Sequence, residues 1–467
     1  MRPATSKPVI QRPARPLRAH QRAVLIAAGL GLFLSTLDTG IITVALPTLH
    51  SELHATAATV AWTVTGYVLA LSATVVFFGR WADRIGRVRV ATLGFLTFAA
   101  ASVVSALAPT IGVLIAGRAC QGVGAAMLQA TAQALVTTQI PEQHRGRALG
   151  TLGMLIGLGP VAGPTVGGTL LSFAGWPSIF WINLPLCALA VIALRRLPQP
   201  APGPATATSY DLAGGSLLAA AAAALLVTIN LAPQHHPASA AVLIPLAATV
   251  AAGAALIARE RRASDPILAP EWLTIGTTRA ALLAAGAFGA TSALVFVVPP
   301  FVLEHQLGLT VWQVGLIGAL APAGLVIASR ASGARLASQN ARTLMTSGLT
   351  LMLTALALLA ATAQLHNLPT VAVLLFTYGV GGGLFQPANI AAVMTAATHA
   401  RQGTIGAAQR LTLNLGIGIG TATAAAALTA LPGGGAAWTA AAVISAASLT
   451  AVLIARPTQP HRTQPPT

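Results

Sequence analysis

Two ionisable side chains sit where water should not reach them. Asp38 is the only charged residue in the apolar run 24–46, and Arg118 is the only one in the run 111–136. An ionised group is costly inside a hydrocarbon layer, so each must face a partner or a polar cavity. A carboxylate held there can have a raised pKa, which suits it to take up and release a proton. The alternatives are structural: Asp38 hydrogen-bonded to a neighbouring helix, and Arg118 ligated by backbone carbonyls. Neutral hydrogen-bonding groups lie in other apolar runs. Gln129, Gln386 and Asn389 are candidates to face a central cavity and bind substrate, although packing between helices explains them equally well. Glu304, a further candidate to bind substrate, and His305 mark the outer end of the run 280–303, where they read either as solvated groups or as an outer proton entry. Arg410, early in the run 403–429, reads as a side chain that snorkels to the nearer surface.

Other chemistries find no support. There is no phosphate-binding Gly-rich loop with its lysine, no Ser/His/Asp arrangement and no metal cluster. The inner loops are too short for a nucleotide-binding domain, so the chain is not expected to be an enzyme or to be driven by ATP. Cys120 and Cys187 both fall in apolar segments without metal-ligand spacing, and no disulfide is expected. The formal charge of +17 does not point to nucleic acid, because the basic residues lie between apolar runs instead of gathering on one face.

The elements that must position these residues are membrane helices. The chain has 467 residues, 55% hydrophobic and only 7% charged, against about 25% charged in soluble proteins. A helix crosses the hydrocarbon layer with roughly 20 apolar residues. Fourteen runs meet or approach that length: 24–46, 60–79, 90–108, 111–136, 147–172, 177–195, 211–231, 239–258, 280–303, 312–329, 344–363, 370–397, 403–429 and 436–455. An even count puts both termini on one side, and the arginines choose the side. With the termini inside, Arg80, Arg84, Arg87, Arg89, Arg145, Arg147, Arg195, Arg196, Arg259, Arg261, Arg262, Arg279, Arg330, Arg335, Arg342 and Arg401 all fall in inner loops, and none is left for the outer ones. The first 22 residues are basic and read as a retained cytoplasmic tail, since the apolar run that follows is too long for a secretory signal.

An internal repeat supports a duplicated architecture. QGVGAAMLQ at 121–129 matches YGVGGGLFQ at 378–386 at an offset of 257 residues, and the same offset pairs Gly146 with Gly403, Gly159 with Gly416 and Gly163 with Gly420. That offset is too long for six helices and fits six plus two. The expected order is a basic tail at 1–23, a six-helix bundle at 24–196, a Pro/Ala/Thr-rich cytoplasmic linker at 197–210, two extra helices at 211–258, a cytoplasmic loop at 259–279, a second six-helix bundle at 280–455 and a tail at 456–467. The fold class is an all-α polytopic membrane protein.

Four motifs make the reading more specific. The stretch GRWADRIGRVRV at 79–90 holds Gly79, Asp83, Arg84, Gly86 and Arg87 in what reads as a tight inner turn, and it resembles the signature loop of the major facilitator superfamily. Its glycines allow close approach, and Asp83 can meet an opposing helix end and nearby arginines. The corresponding SRASGARLASQNAR of the second half keeps Gly333 and Arg335 without an acid, so any latch there must be weaker or different. GLGPVAGPTVGG, with Gly159, Pro160, Gly163 and Pro164, resembles the motif that marks exporters in that superfamily, and its small residues and prolines suit a closely packed, bendable hinge between the halves. LDTGIITVALPTL at 37–49 resembles a motif of the 14-helix drug/proton antiporters, and GRACQG, with Arg118, Gln121 and Gly122, resembles the superfamily's buried-arginine motif.

The resemblance implies a major facilitator fold of fourteen helices and alternating access. It implies proton coupling through Asp38 and Arg118, with the arginine favouring the ionised acid when the two are close, and an inner gate around Asp83. It further implies a monomeric exporter of a drug, antibiotic or secondary metabolite in the bacterial inner membrane, driven by the proton-motive force without a bound cofactor. The second half has no deeply embedded acid, which argues against a dicationic substrate.

Overall fold

The computed structural model describes residues 18–197, 212–232, 236, 238–263, 276–309, 311–336, 339–363, 367–398, 401–430 and 435–455. Both tails, nearly all of the linker and much of the loop at 259–279 lie outside these residues. So do the side chains of Pro160, Pro164, Glu304 and His305, and the roles expected of them therefore fall outside the described residues.

Every regular element among the described residues is a helix: α1 Ala19–Glu52, α2 Ala57–Ile85, α3 Arg87–Ala106, α4 Ile111–Gln139, α5 Glu142–Ala174, α6 Ser178–Trp181, α7 Asn183–Arg195, α8 Leu212–Leu231, α9 Ala240–Glu260, α10 Gly276–Leu307, α11 Val311–Gly318, α12 Leu320–Arg335, α13 Ala341–Thr362, α14 Leu368–Thr395, α15 Gln402–Ala430 and α16 Gly435–Ile454. Among the described residues, twelve spans are long and apolar enough to cross a membrane, with α6 and α7 together forming one and α11 and α12 another. Helices α5 and α8 are not among the twelve; within their described residues the apolar stretches Thr165–Ala174 and Ala213–Ile229 are shorter. The breaks inside the sixth and tenth expected spans share a cause. Pro185 and Pro322 lack the N–H that would bond to the carbonyl four residues earlier. Those positions are Trp181 and Gly318, where α6 and α11 end.

One sequence expectation is corrected at the 79–90 segment. Most of it is helix: α2 continues to Ile85 and α3 starts at Arg87, so Gly79 and Asp83 stand on the last turns of α2. Gly86 alone makes the turn, at φ 105° and ψ 131°, a left-handed backbone that a side chain would strain.

The helices pack as two groups. In the first, α1 lies along α5, α2 and α3 flank α4, and α7 packs on α1 and α3; in the second, α10 lies along α15, α12 and α13 flank α14, and α16 packs on α10 and α13. The internal repeat explains this likeness residue by residue. Added β-carbons at Gly122 and Gly379 would strike Tyr67 of α2 and Ala321 of α12 respectively. Those at Gly124 and Gly381 would strike Gly94 of α3 and Gly348 of α13. Such glycines let backbones approach where no hydrophobic force distinguishes helix from lipid.

The groups meet through α2 with α15 and α5 with α12, and α4 also touches α15. Helix α8 packs on α2 and reaches α15, so it bridges the groups, whereas α9 packs on α8 and leaves Leu243, Ile244, Leu246, Val250 and Ile257 exposed, as lipid contact would require.

Candidate functional site

Asp38 and Arg118 meet. Both are buried, at 4% and 0% exposure, and Arg118 Nη1 donates to Asp38 Oδ2 in an ion pair. Arg118 Nη1 also donates to Gln121 Oε1 at 2.8 Å, its Nε donates to the Thr63 carbonyl at 3.0 Å, and its guanidinium lies 4.4 Å from the centre of the Tyr67 ring. Asn183 Nδ2 donates to Asp38 Oδ1 at 3.5 Å and to Ser102 Oγ at 3.3 Å, while Gln121 Nε2 donates to Ser102 Oγ at 2.7 Å. The Tyr67 hydroxyl donates to the Ser35 carbonyl at 3.0 Å. Five helices, α1, α2, α3, α4 and α7, thus contribute to the network around this carboxylate. Among the described residues, Arg118 Nη2 and Asn183 Oδ1 have no partner, so the network keeps hydrogen-bonding capacity in reserve.

Both structural alternatives for these residues are present together with the ion pair: Arg118 does ligate a backbone carbonyl, and Asp38 does bond to neighbouring helices. Sequence reading missed Thr63, Tyr67, Ser102 and Asn183. The available signal was weak, because single polar residues in apolar runs are common, although Asn183 at the start of α7 follows directly on the helix break set by Pro185.

Among the described residues, the three neutral candidates share no hydrogen bond with one another. Gln129 Nε2 bonds to Ser35 Oγ at 3.3 Å and its oxygen has no partner; the Gln386 oxygen also has none. Asn389 is engaged in packing, donating to the Ala281 carbonyl at 2.8 Å and accepting from Gln409 Nε2 at 3.0 Å.

Asp83 reaches across to the other group of helices. Its Oδ1 accepts from the Gly403 amide at 2.9 Å, and its Oδ2 accepts from the Thr404 amide at 2.8 Å and the Thr404 hydroxyl at 2.9 Å. Arg87 Nη2 donates to Oδ1 at 2.8 Å, which braces the carboxylate from behind. A helix start leaves its first N–H groups unsatisfied and carries partial positive charge, so Asp83 caps α15 from outside its own half. Gly79 lies directly below, where a β-carbon would come within 2.6 Å of the Gly403 carbonyl. Arg84 occupies the last turn of α2, and Gly86 the turn itself. Replacing Asp83 with Asn is expected to weaken this closure by on the order of 1.5 kcal/mol, the worth of a charge-assisted bond over a neutral one. Faster hydrogen exchange at the Gly403 and Thr404 amides would report it, and unchanged protection would refute it.

The pseudo-equivalent contact lies between α5 and α12. A β-carbon at Gly146 would come 2.5 Å from the Gly333 carbonyl, and one at Gly150 would come 2.6 Å from the Ser329 carbonyl. At both glycines backbone meets backbone. In the Gly159–Gly163 segment, expected to serve as a hinge between the halves, added β-carbons would strike Thr36 and Gly40 of α1, within its own group of helices. The small-residue face toward the other half is Gly146, Gly150, Gly153 and Gly157, which precede Gly159 on α5. Helix rotation decides this, since Gly157 and Gly159 point about 200° apart around the axis. Arg410 is corrected as well: it does not snorkel but is 2% exposed, facing α4.

A family model described as Major Facilitator Superfamily matches residues 28–421 and 280–467. Among proteins of known name, a riboflavin transporter of Clostridioides difficile (strain 630) is 29% identical over 81% of this chain and 82% of that protein. The tetracenomycin C resistance and export protein of Streptomyces glaucescens is 28% identical over 56% of this chain and 48% of that protein. The crystal structure of the human organic anion transporter MFSD10 superposes with a TM-score of 0.68 over 92% of this chain and 99% of that one, at 16% identity, a likeness of fold alone. With a family model spanning nearly the whole sequence and two helical groups related by an internal repeat, the chain belongs to the Major Facilitator Superfamily and is a multi-pass membrane transporter.

Proposed function

We propose that this transporter exports a small organic molecule, of the drug, antibiotic or secondary-metabolite kind, in exchange for protons by alternating access. The observation that carries the reading is the buried Asp38–Arg118 pair. Arg118 stabilises the ionised carboxylate; a proton arriving at Asp38 neutralises it and leaves the guanidinium without its counter-charge. Arg118 then turns to its remaining acceptors, Gln121 and the Thr63 carbonyl, and the hold between α1 and α4 weakens. Proton binding thereby becomes a change in helix packing, the kind of differential interaction that shifts a two-state equilibrium.

In this reading α5 and α8 also cross, giving fourteen spans in a bacterial inner membrane, with both termini and the Arg-rich loops in the cytoplasm. The Asp83–α15 cap and the α5–α12 glycine seam then close the inner side, and substrate entering from the cytoplasm or inner leaflet has to find them open. The protein works as a monomer with substrate, protons and lipid as its partners; it needs no bound cofactor and does no covalent chemistry. The likeness to a resistance and export protein supports outward movement. A second reading, carriage of a metabolite, draws on the likeness to a riboflavin transporter.

Everted vesicles with an imposed pH gradient distinguish these readings. Wild type is expected to accumulate a drug substrate only while the gradient lasts, and Asp38→Asn is expected to lose that accumulation although the protein still inserts and folds. Accumulation that ignores both the gradient and the substitution would remove Asp38 from the mechanism; gradient-independent exchange of riboflavin would favour the metabolite carrier.

A further inference from the structure

The interface between the two groups holds a charge that the proton cycle does not use. Arg410, on α15, is 2% exposed, and among the described residues no carboxylate pairs with it. Its neighbour is an amide of the opposite half: with the Gln133 side-chain oxygen turned toward it, Arg410 donates from Nε and Nη2 at 3.1 Å each. In the other amide orientation Gln133 Nε2 bonds to Gln409 Oε1 at 3.1 Å and the guanidinium loses that acceptor. One turn further along the same face of α15, Asn414 is 8% exposed and, among the described residues, its Nδ2 has no partner.

A guanidinium removed from water is held at substantial cost unless an anion meets it, and one amide oxygen supplies only a partial charge. Arg410 offers donors alone, in a planar fork, and the free atom of Asn414 is a donor too. The matching group is an acceptor-only oxyanion with two oxygens, which a guanidinium holds bidentately. The surrounding charge points the same way. Asp38 is neutralised by Arg118, Asp83 is neutralised by Arg87 and a helix start, and no acid is buried among the described residues of α10 to α16. A cationic substrate would therefore meet repulsion at this place.

We propose that Arg410 is the specificity-determining residue for an anionic substrate, a small organic carboxylate or a comparable oxyanion, which its guanidinium holds between α4 and α15 with Asn414 as a second donor. Because Gln133 and Arg410 come from opposite halves, the anion takes the place of an interdomain contact, so its binding loosens the interface that must part. The inference rests on the transporter reading and deepens it. Outward movement of an anion and inward movement of a proton both carry positive charge inward, so a membrane potential negative inside drives both.

Two xanthene dyes of similar size test this on the purified protein in detergent: fluorescein, an anion at neutral pH, and rhodamine 123, a cation, followed by fluorescence anisotropy. Wild type is expected to bind fluorescein more tightly than rhodamine 123. Arg410→Gln is expected to weaken fluorescein by at least about tenfold, the scale of a lost charge-assisted pair, without weakening rhodamine 123. Gln133→Glu places a carboxylate opposite an intact Arg410 and is expected to abolish fluorescein binding by competition, which keeps the test decisive if Arg410→Gln does not fold. Equal affinity of wild type for the two dyes, or unchanged fluorescein affinity in Gln133→Glu, would overturn the assignment. Anisotropy needs no gradient, so selective anion binding without proton-driven transport would refute the coupling and leave the site standing; proton-driven transport without charge preference would do the reverse.

Discussion

Arg118→Ala is expected to destabilise the folded protein by about 3–5 kcal/mol, the cost of leaving one member of a buried ion pair uncompensated. Asp38 has Asn183 as its other side-chain donor, at 3.5 Å, too weak a contact to replace a guanidinium. The Thr63 carbonyl and Gln121 lose their donor, and the ring of Tyr67 loses its cation. The carboxylate is then left without its counter-charge, which is expected to end coupling even in the fraction that folds. The double variant Asp38→Asn with Arg118→Gln removes both charges and keeps hydrogen-bonding groups, so it should recover most of the stability and none of the proton-driven transport. Thermal unfolding of the three proteins in detergent, set beside vesicle transport, checks both statements. A double variant no more stable than Arg118→Ala would mean that packing of the long side chain, and not its charge, holds these helices.

Gly150→Val is expected to abolish transport while leaving each group of helices folded. Even the β-carbon would sit 2.6 Å from the Ser329 carbonyl and 3.0 Å from the Gly333 α-carbon, distances that only a shift of α5 away from α12 can relieve. Overpacking of a tight contact costs about 1–3 kcal/mol. Here the strain is avoidable, because the halves can remain apart, so the equilibrium moves toward the state open at the Arg-rich end. Gly168, whose added β-carbon would meet nothing within 4 Å, supplies the control: Gly168→Val should transport normally. Trypsin cleavage of the loops beside Arg145 and Arg335 measures the opening, and a Gly150→Val protein with wild-type cleavage and wild-type transport would show that the seam does not have to close.

The sequence carried the membrane class and the two buried charges on which the proposed mechanism rests. Hydropathy and arginine placement marked the helices, because a lipid-crossing segment has to be apolar along its whole length and so announces itself locally. Asp38 and Arg118 stood out for the same reason: a charge in such a run costs too much to be incidental. The repeat at offset 257 was legible too, and α4 and α14 begin at residues separated by that offset, Ile111 and Leu368.

What could not be read depended on rotation about a helix axis and on the meeting of distant segments. Arg410 looked like a snorkelling side chain because its position near the start of an apolar run is all that a linear reading contains; that it faces Gln133 follows only once α4 and α15 are packed. The glycines at 159 and 163 read as part of a hinge, but that their faces pack α5 on α1, while Gly146 and Gly150 meet α12, follows only from the packed helices. Asp83 was recognisable as a latch residue, but its partner, the start of a helix 320 positions away, was not. Composition by itself determined that this chain lives in lipid and where its charges are expensive. Only the tertiary structure decided which of those charges are paired and which is left open, because pairing depends on distances between helices that no local pattern encodes.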